Sequence, residues 1–207
     1  GKAGPVAVSV ARFETYYPGE AWTWEMMALT RARVVTGDAA LSERVSAAMR
    51  DALTQPREAR GVREDALAMR KRLEDAKPAR GPWDIKARAG GIQDIEFIAQ
   101  TLQLAHASKK DVLRPSTRAA LAALADCGAL PGEDAEFLAA SLDLYLGLLQ
   151  LMRSAHGSGF DPSVASAGFA ERFAGLAGVG SLPELETALE SRAARVRKCF
   201  RRHVGKI

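Results

Sequence analysis

β-Branched residues are scarce in this sequence, with 12 Val and 5 Ile against 39 Ala and 22 Leu. Unbranched side chains lose little rotamer freedom in a helix, whereas β-branched ones suit a pleated sheet, so the ratio excludes a sandwich or barrel and predicts an all-α chain. Cysteine is scarcer still: Cys127 and Cys199 stand alone. They are far apart, with no CxxC or Cys/His cluster, which speaks against a disulfide framework and a zinc site and for a reducing, cytoplasmic setting. His106, His156 and His203 never come within the i, i+3 or i+4 spacing that puts two metal ligands on one helix face. GxSxG, HExxH and a P-loop lysine are missing, so a self-contained hydrolase or kinase has no support. The richest apolar run is broken by Asp143, Gln150 and Arg153 before it reaches the roughly 18 to 20 residues of a membrane span, and no membrane contact is expected.

A surplus of one charge is lacking too. Lys and Arg number 29 and Asp and Glu 25, and the resulting +4 is spread along the chain, a weak invitation to nucleic acid. The length of 207 residues fits one large domain or two small ones. The chain opens on Gly1 rather than Met and runs straight into Val6, Val8 and Val10, which reads as the interior of a longer polypeptide.

Apolar periodicity and helix stop signals predict a multi-helix bundle behind an extended N-terminal tail that reaches about Val10. The first helix is expected over 20–35, with Trp24, Met27, Leu29, Ala32 and Val35 as its stripe. The next is expected over 38–53, capped by Asp38 and closed by Pro56, and a third over 57–76 with Val62, Ala66, Met69 and Leu73 inward. A Pro/Gly-rich loop occupies 77–91, anchored by Trp83 and Ile85, and a helix follows to about 108. Helices over 116–128 and 131–154 come next. The second of these is apolar around nearly its whole circumference between Phe137 and Met152, which marks it as the buried centre. A flexible loop over 154–163, a short helix over 169–176 and a striped helix from Leu182 to Phe200 complete the chain.

The most distinctive segment is Asp84-Ile-Lys-Ala-Arg-Ala-Gly-Gly-Ile-Gln-Asp-Ile-Glu-Phe-Ile-Ala-Gln100. Paired glycines at a helix start can cradle a phosphate, but Asp94 and Glu96 in the first turns would repel one, and their simplest role is to complement the helix dipole. Glu96, Gln100 and Gln103 form one polar stripe, with Asp94 about 160° away from Glu96 at about 100° per residue. Lys86 and Arg88 precede them. On the first helix Glu25, Arg31 and Arg33 surround a stripe holding Trp22 and Trp24. The last helix carries acids first and then Arg192, Arg195, Arg197, Lys198, Arg201 and Arg202, a polarity that its own dipole explains without nucleic acid.

Gly4-Pro5, Ser9, Phe13, Tyr16-Tyr17, Ala21-Trp-Thr-Trp-Glu25, Ala28-Leu29, Arg31-Ala-Arg33, Asp84-Ile-Lys86 and Gly90-Gly-Ile-Gln-Asp-Ile-Glu-Phe97 with Gln100 together resemble the glutamine synthetase adenylyltransferase family. The resemblance runs through the whole chain and looks most like the C-terminal half of such proteins. It implies a large bifunctional enzyme in which nucleotidyltransferase domains, each followed by a helical domain, transfer AMP from ATP to a tyrosine of glutamine synthetase and remove it. It also implies Mg²⁺ held by a Gly-Ser-x-x-Asp-x-Asp motif, which these 207 residues do not contain. Residues 1–17 then resemble the exit from the catalytic domain and 18–207 its helical companion. Met26 stands where the family often has histidine.

The expectation is a helical domain inactive by itself, with Mg²⁺ and ATP belonging to the parent protein and no cofactor of its own. Glu25, Arg31, Arg33, Lys86, Asp94, Glu96 and Gln100 are the candidates for a nucleotide-facing or domain-facing surface. The implied partners are the protein's own nucleotidyltransferase domain, glutamine synthetase and a PII-type signalling protein. The competing reading is a free-standing helical interaction module or a basic nucleic-acid-binding domain.

Overall fold

The computed structural model describes residues 7–156 and 160–207, with side chains for all of these except 155 and 156. Among the described residues there are nine α-helices, one 3-10 turn at Pro162–Val164 and no strand. The helices are α1 (Val10–Gly19), α2 (Thr23–Leu29), α3 (Ala39–Thr54), α4 (Ala59–Ala76), α5 (Ile92–His106), α6 (Thr117–Asp126), α7 (Gly132–His156), α8 (Ala167–Leu176) and α9 (Leu182–His203). The all-α expectation holds.

The largest departure from the sequence reading is at the N-terminus. Most of the expected extended tail lies outside the described residues, and Val10 already starts a helix, capped by the Ser9 hydroxyl, which accepts from Arg12 N at 3.2 Å. The single helix expected over 20–35 is instead a corner. Pro18 and Gly19 end α1, and α2 restarts because Glu25 reaches back to accept from Trp22 N at 2.9 Å. It stops after Leu29, where the Thr30 hydroxyl turns onto Met27 O at 2.7 Å, so Ala32 and Val35 lie beyond the helix. The expected division after residue 17 falls inside α1, which packs on α3 with Phe13 and Tyr17 half-buried. The loop expected over 154–163 includes 157–159, outside the described residues.

The buried centre is α5, not α7. Helix α5 packs against α2, α4, α6, α7 and α9 and buries Ile92, Ile95, Ile98, Ala99, Leu102 and Leu104. Each large apolar side chain there contributes roughly 1.5–3 kcal/mol on leaving water. Helix α7 shows water a face made of Ala140, Asp143, Leu146 and Gln150, while Leu138, Leu142, Tyr145, Leu148 and Met152 point inward. Contrary to the sequence expectation, Gly132–Ser154 does reach the length and mean hydropathy (1.3) of a membrane-crossing helix. Its inward residues are packed by α5, α6, α8 and α9.

Two glycines let the 77–91 loop close on this centre. Gly90 sits at φ +78°, and a Cβ there would lie 1.9 Å from the Ala193 carbonyl oxygen of α9; at Gly91 it would lie 2.4 Å from Ile85 O. Gly90→Ala is therefore expected to cost about 3 kcal/mol or more, from the strained φ together with a backbone clash. Gly128 has a similar φ of +70° but open space around it. Gly128→Ala should cost only the left-handed penalty of about 1–2 kcal/mol. Thermal unfolding of the two variants checks the contrast, and equal losses would contradict it.

Candidate functional site

The Gly-Gly-x-x-Asp segment does not form an anion cradle. The first free amides of α5 are taken by the chain itself: Ile92 N donates to Ile85 O at 2.9 Å and Gln93 N to Lys86 O at 3.1 Å. Asp94, a candidate for the functional surface, is fully buried. Its Oδ1 accepts from Arg70 Nε at 2.7 Å, and its Oδ2 accepts from Gly90 N at 2.7 Å and Arg197 Nη1 at 2.9 Å. Glu74 closes the set, 3.2 Å from Arg70 Nη1 and 3.0 Å from Arg197 Nη2. Arg70 Nη2 also donates to Ala87 O at 3.1 Å, and the Tyr145 hydroxyl donates to Gly90 O at 3.2 Å. Burial pushes the Tyr145 hydroxyl up to about 12, so it stays a donor. Two guanidiniums and two carboxylates thus join α4, α5, α9 and the loop in a nearly dry, charge-balanced lock. The expected surface role of Asp94 is corrected: its charge is fully used in the interior.

The other candidates are dispersed along the α2–α5 side. Both Glu25 oxygens accept the Tyr16 hydroxyl at 3.0 Å while one also caps Trp22 N, so Glu25 fixes the α1–α2 corner, and its hydrogen bond holds the Tyr16 hydroxyl above its ordinary value. Arg31 Nη1 pairs with Glu96 Oε1 at 2.7 Å, linking the exit of α2 to α5. Gln100 is half-buried, and Gln103 ends the stripe inside the core, its Oε1 accepting from Arg114 N at 2.7 Å. Arg33 and Lys86 are exposed. Met26 is 3% exposed, a core residue rather than a contact surface. The seven candidates therefore do not converge on one site; Arg31 and Glu96 form an ion pair, and Gln100 stands one helical turn from Glu96.

Sequence reasoning missed Arg70, Glu74 and Arg197, although a signal was present. Val62, Ala66 and Arg70 continue one four-residue step along α4, as do Leu185, Leu189, Ala193 and Arg197 along α9. A charge in phase with a buried stripe must find a partner, because an unpaired one costs several kcal/mol. The basic run of α9 is largely occupied as well: Arg192 donates to Ser141 Oγ at 3.0 Å, Arg195 lies 3.9 Å over the Phe137 ring, and Arg202 meets Asp134 at 3.0 Å.

Asp134 gathers a second cluster between α7 and α9, with His203 Nε2 at 2.7 Å and Cys199 Sγ at 3.5 Å. Burial opposes its ionisation, but the bonds from His203, Arg202 and Cys199 outweigh burial and hold the carboxyl below its ordinary value. Burial and the adjacent Asp134 push the Cys199 thiol up to about 11, so this Cys/His/Asp set holds no ready nucleophile. His106 is half-buried and lowered, first by burial and then by Lys110, Arg63 and Lys109. The His156 side chain lies outside those described. Among the described residues no group of three or more His, Cys, Asp or Glu is placed to hold a metal ion.

Removing one member of the lock leaves buried charge unpaired. Asp94→Asn is expected to cost about 3–5 kcal/mol in chemical denaturation, and a loss under about 1 kcal/mol would contradict the lock. Asp134→Asn is expected to cost about 1–3 kcal/mol at neutral pH. Because the folded carboxyl sits below its unfolded value, the stabilisation is present above the ordinary carboxylate range and fades as pH falls through it. Wild-type and Asp134→Asn stabilities should therefore converge in acid, and a pH-independent gap would rule this out.

Comparison with known proteins adds the family. Residues 1–48 match the family model described as Glutamate-ammonia ligase adenylyltransferase, and residues 62–204 match the one described as GlnD PII-uridylyltransferase. The bifunctional glutamine synthetase adenylyltransferase/adenylyl-removing enzyme of Bradyrhizobium diazoefficiens is 41% identical over 202 residues, 97% of this chain and 20% of that protein. That of Caulobacter vibrioides is 40% identical over 201 residues, with 97% and 20% covered. That of Rhodopseudomonas palustris strain BisB5 is 37% identical over 206 residues, with 99% and 21% covered. The chain spans about one fifth of the length of these relatives. The chain belongs to the family that the PII-uridylyltransferase model describes, in the form carried by glutamine synthetase adenylyltransferases.

Proposed function

We propose that this chain is the helical companion of a nucleotidyltransferase domain in a bifunctional glutamine synthetase adenylyltransferase/adenylyl-removing enzyme. In this reading it supplies a rigid wall to the neighbouring domain's cleft and carries out no chemistry alone. The single observation behind it is the alignment of nearly the whole chain with one stretch of such enzymes. The use of charges inside the fold agrees with it. Phosphoryl chemistry needs carboxylates gathered around Mg²⁺, whereas Asp94, Glu74, Glu25 and Asp134 are each committed to internal partners. ATP and Mg²⁺ would be bound by the nucleotidyltransferase domain. Glutamine synthetase is the proposed protein substrate, a PII-type protein the proposed signalling partner and the cytoplasm the proposed location.

Within this reading Arg33 and Lys86 are candidate cations whose side chains are exposed to the neighbouring domain. In the full-length enzyme, Arg33→Ala with Lys86→Ala is expected to lower AMP transfer to glutamine synthetase at least about tenfold, some 1.4 kcal/mol of transition-state stabilisation. Unfolding should change by less than about 0.5 kcal/mol, as at exposed positions generally. The 207-residue chain alone is expected to transfer no AMP from MgATP. Full activity in the double variant would remove these cations from the cleft, and transfer by the chain alone would overturn the companion role.

A further inference from the structure

The three tryptophans are placed differently. Trp83 is half-buried, 5.6 Å from the Phe173 ring, but Trp22 and Trp24 are 68% and 47% exposed at the start of α2. An indole is a large apolar surface whose burial dominates interfaces, so two neighbouring exposed ones need an explanation. They border a surface cavity of about 350 Å³ whose far wall is Asp65, Met69 and Arg72 of α4. The Thr23 hydroxyl is tied to Asp65, and Glu25 pins Trp22 N, so the backbone under both indoles is fixed before anything docks.

This exposure is concentrated in one part of the chain. Of the eight large hydrophobics exposed among the described residues, Val8, Trp22, Trp24, Val35 and Leu41 fall within 1–48, the stretch that matches the adenylyltransferase model. The remaining residues, more than three times as many, contribute only Leu146, Val164 and Leu176. In the same stretch α1 buries no residue fully. A free partner needs roughly 800 Å² per side for a stable interface, more than two indoles and a shallow cavity supply. A tethered domain, at millimolar effective concentration, needs far less.

We infer that the Trp22/Trp24 face is the docking surface for the nucleotidyltransferase part of the same polypeptide, with both indoles covered by that domain. The inference rests on the companion-domain reading above and names the surface through which it operates. The chain's relatives are about five times its length, which leaves ample polypeptide to provide the cover.

Hydroxyl-radical footprinting read by mass spectrometry tests this without any substitution. The full-length protein and the 207-residue chain are labelled side by side, and AMP transfer by the full-length protein is measured on the same preparation. Oxidation of Trp22 and Trp24 is expected to fall severalfold in the full-length protein while Trp83, a reporter of the folded core, is labelled equally in both. Equal labelling of Trp22 and Trp24 with AMP transfer intact would overturn the docking surface and leave the companion role standing. Absence of AMP transfer would overturn the companion role and this inference with it. Protection that grows with the concentration of the shorter chain would make the occupant a second copy. Protection seen only on adding glutamine synthetase would make it the substrate. Either result overturns the inference.

Discussion

The carboxylate of Asp94 is the group on which the arrangement depends. It lies at the start of the central helix, out of contact with water, and is met by a guanidinium from α4, another from α9 and the amide of the loop between α4 and α5. Apolar packing is tolerant of sliding, but a buried charge is not, since each displaced partner leaves a penalty of several kcal/mol. The lock therefore fixes the register in which three helices meet. Gly90 follows from it: the amide reaches Asp94 only if that residue passes against the Ala193 carbonyl with no side chain between.

This placement changes the meaning of the most distinctive stretch of the sequence. Clustered glycines and acids at a helix start invite a reading as ligand-binding machinery. Here the amides are satisfied by loop carbonyls and the first acid by internal guanidiniums, so the stretch builds the domain instead of touching a substrate. Among the candidate residues Arg33 and Lys86 face outward, Arg31 does so while paired with Glu96, and a pair of indoles is exposed on the α1–α2 corner. The inside is stiff and charge-balanced, while unpartnered apolar surface collects at the end of the chain that matches the adenylyltransferase model.

Much of the fold was legible in the residues. Alanine and leucine in excess of valine and isoleucine pointed to helices, and Asp38, Pro56 and Pro131 located boundaries to within about two residues of those observed. The N-terminal corner was not legible by periodicity, because Trp24, Met27 and Leu29 continue in phase with Ala32 and Val35 while the local bonds of Glu25 and Thr30 decide where the helix starts and stops. The centre was misplaced for a related reason. Helix α7 is richer in leucine, but α5 is covered on more sides, and coverage is a property of neighbours rather than of composition. The lock was half legible: Asp94 stood out, while Arg70 and Arg197 were hidden among many arginines that face water, distinguishable only by their phase with the buried stripes.

If one ion cluster holds α4, α5 and α9 in register, the three helices open together. Native-state amide hydrogen exchange in wild type and Asp94→Asn reads this helix by helix. The slowest amides of α4, α5 and α9 are expected to share one opening free energy in the wild type and to lose protection by the same amount in the variant. Loss confined to α9, with α4 and α5 protected as before, would contradict it.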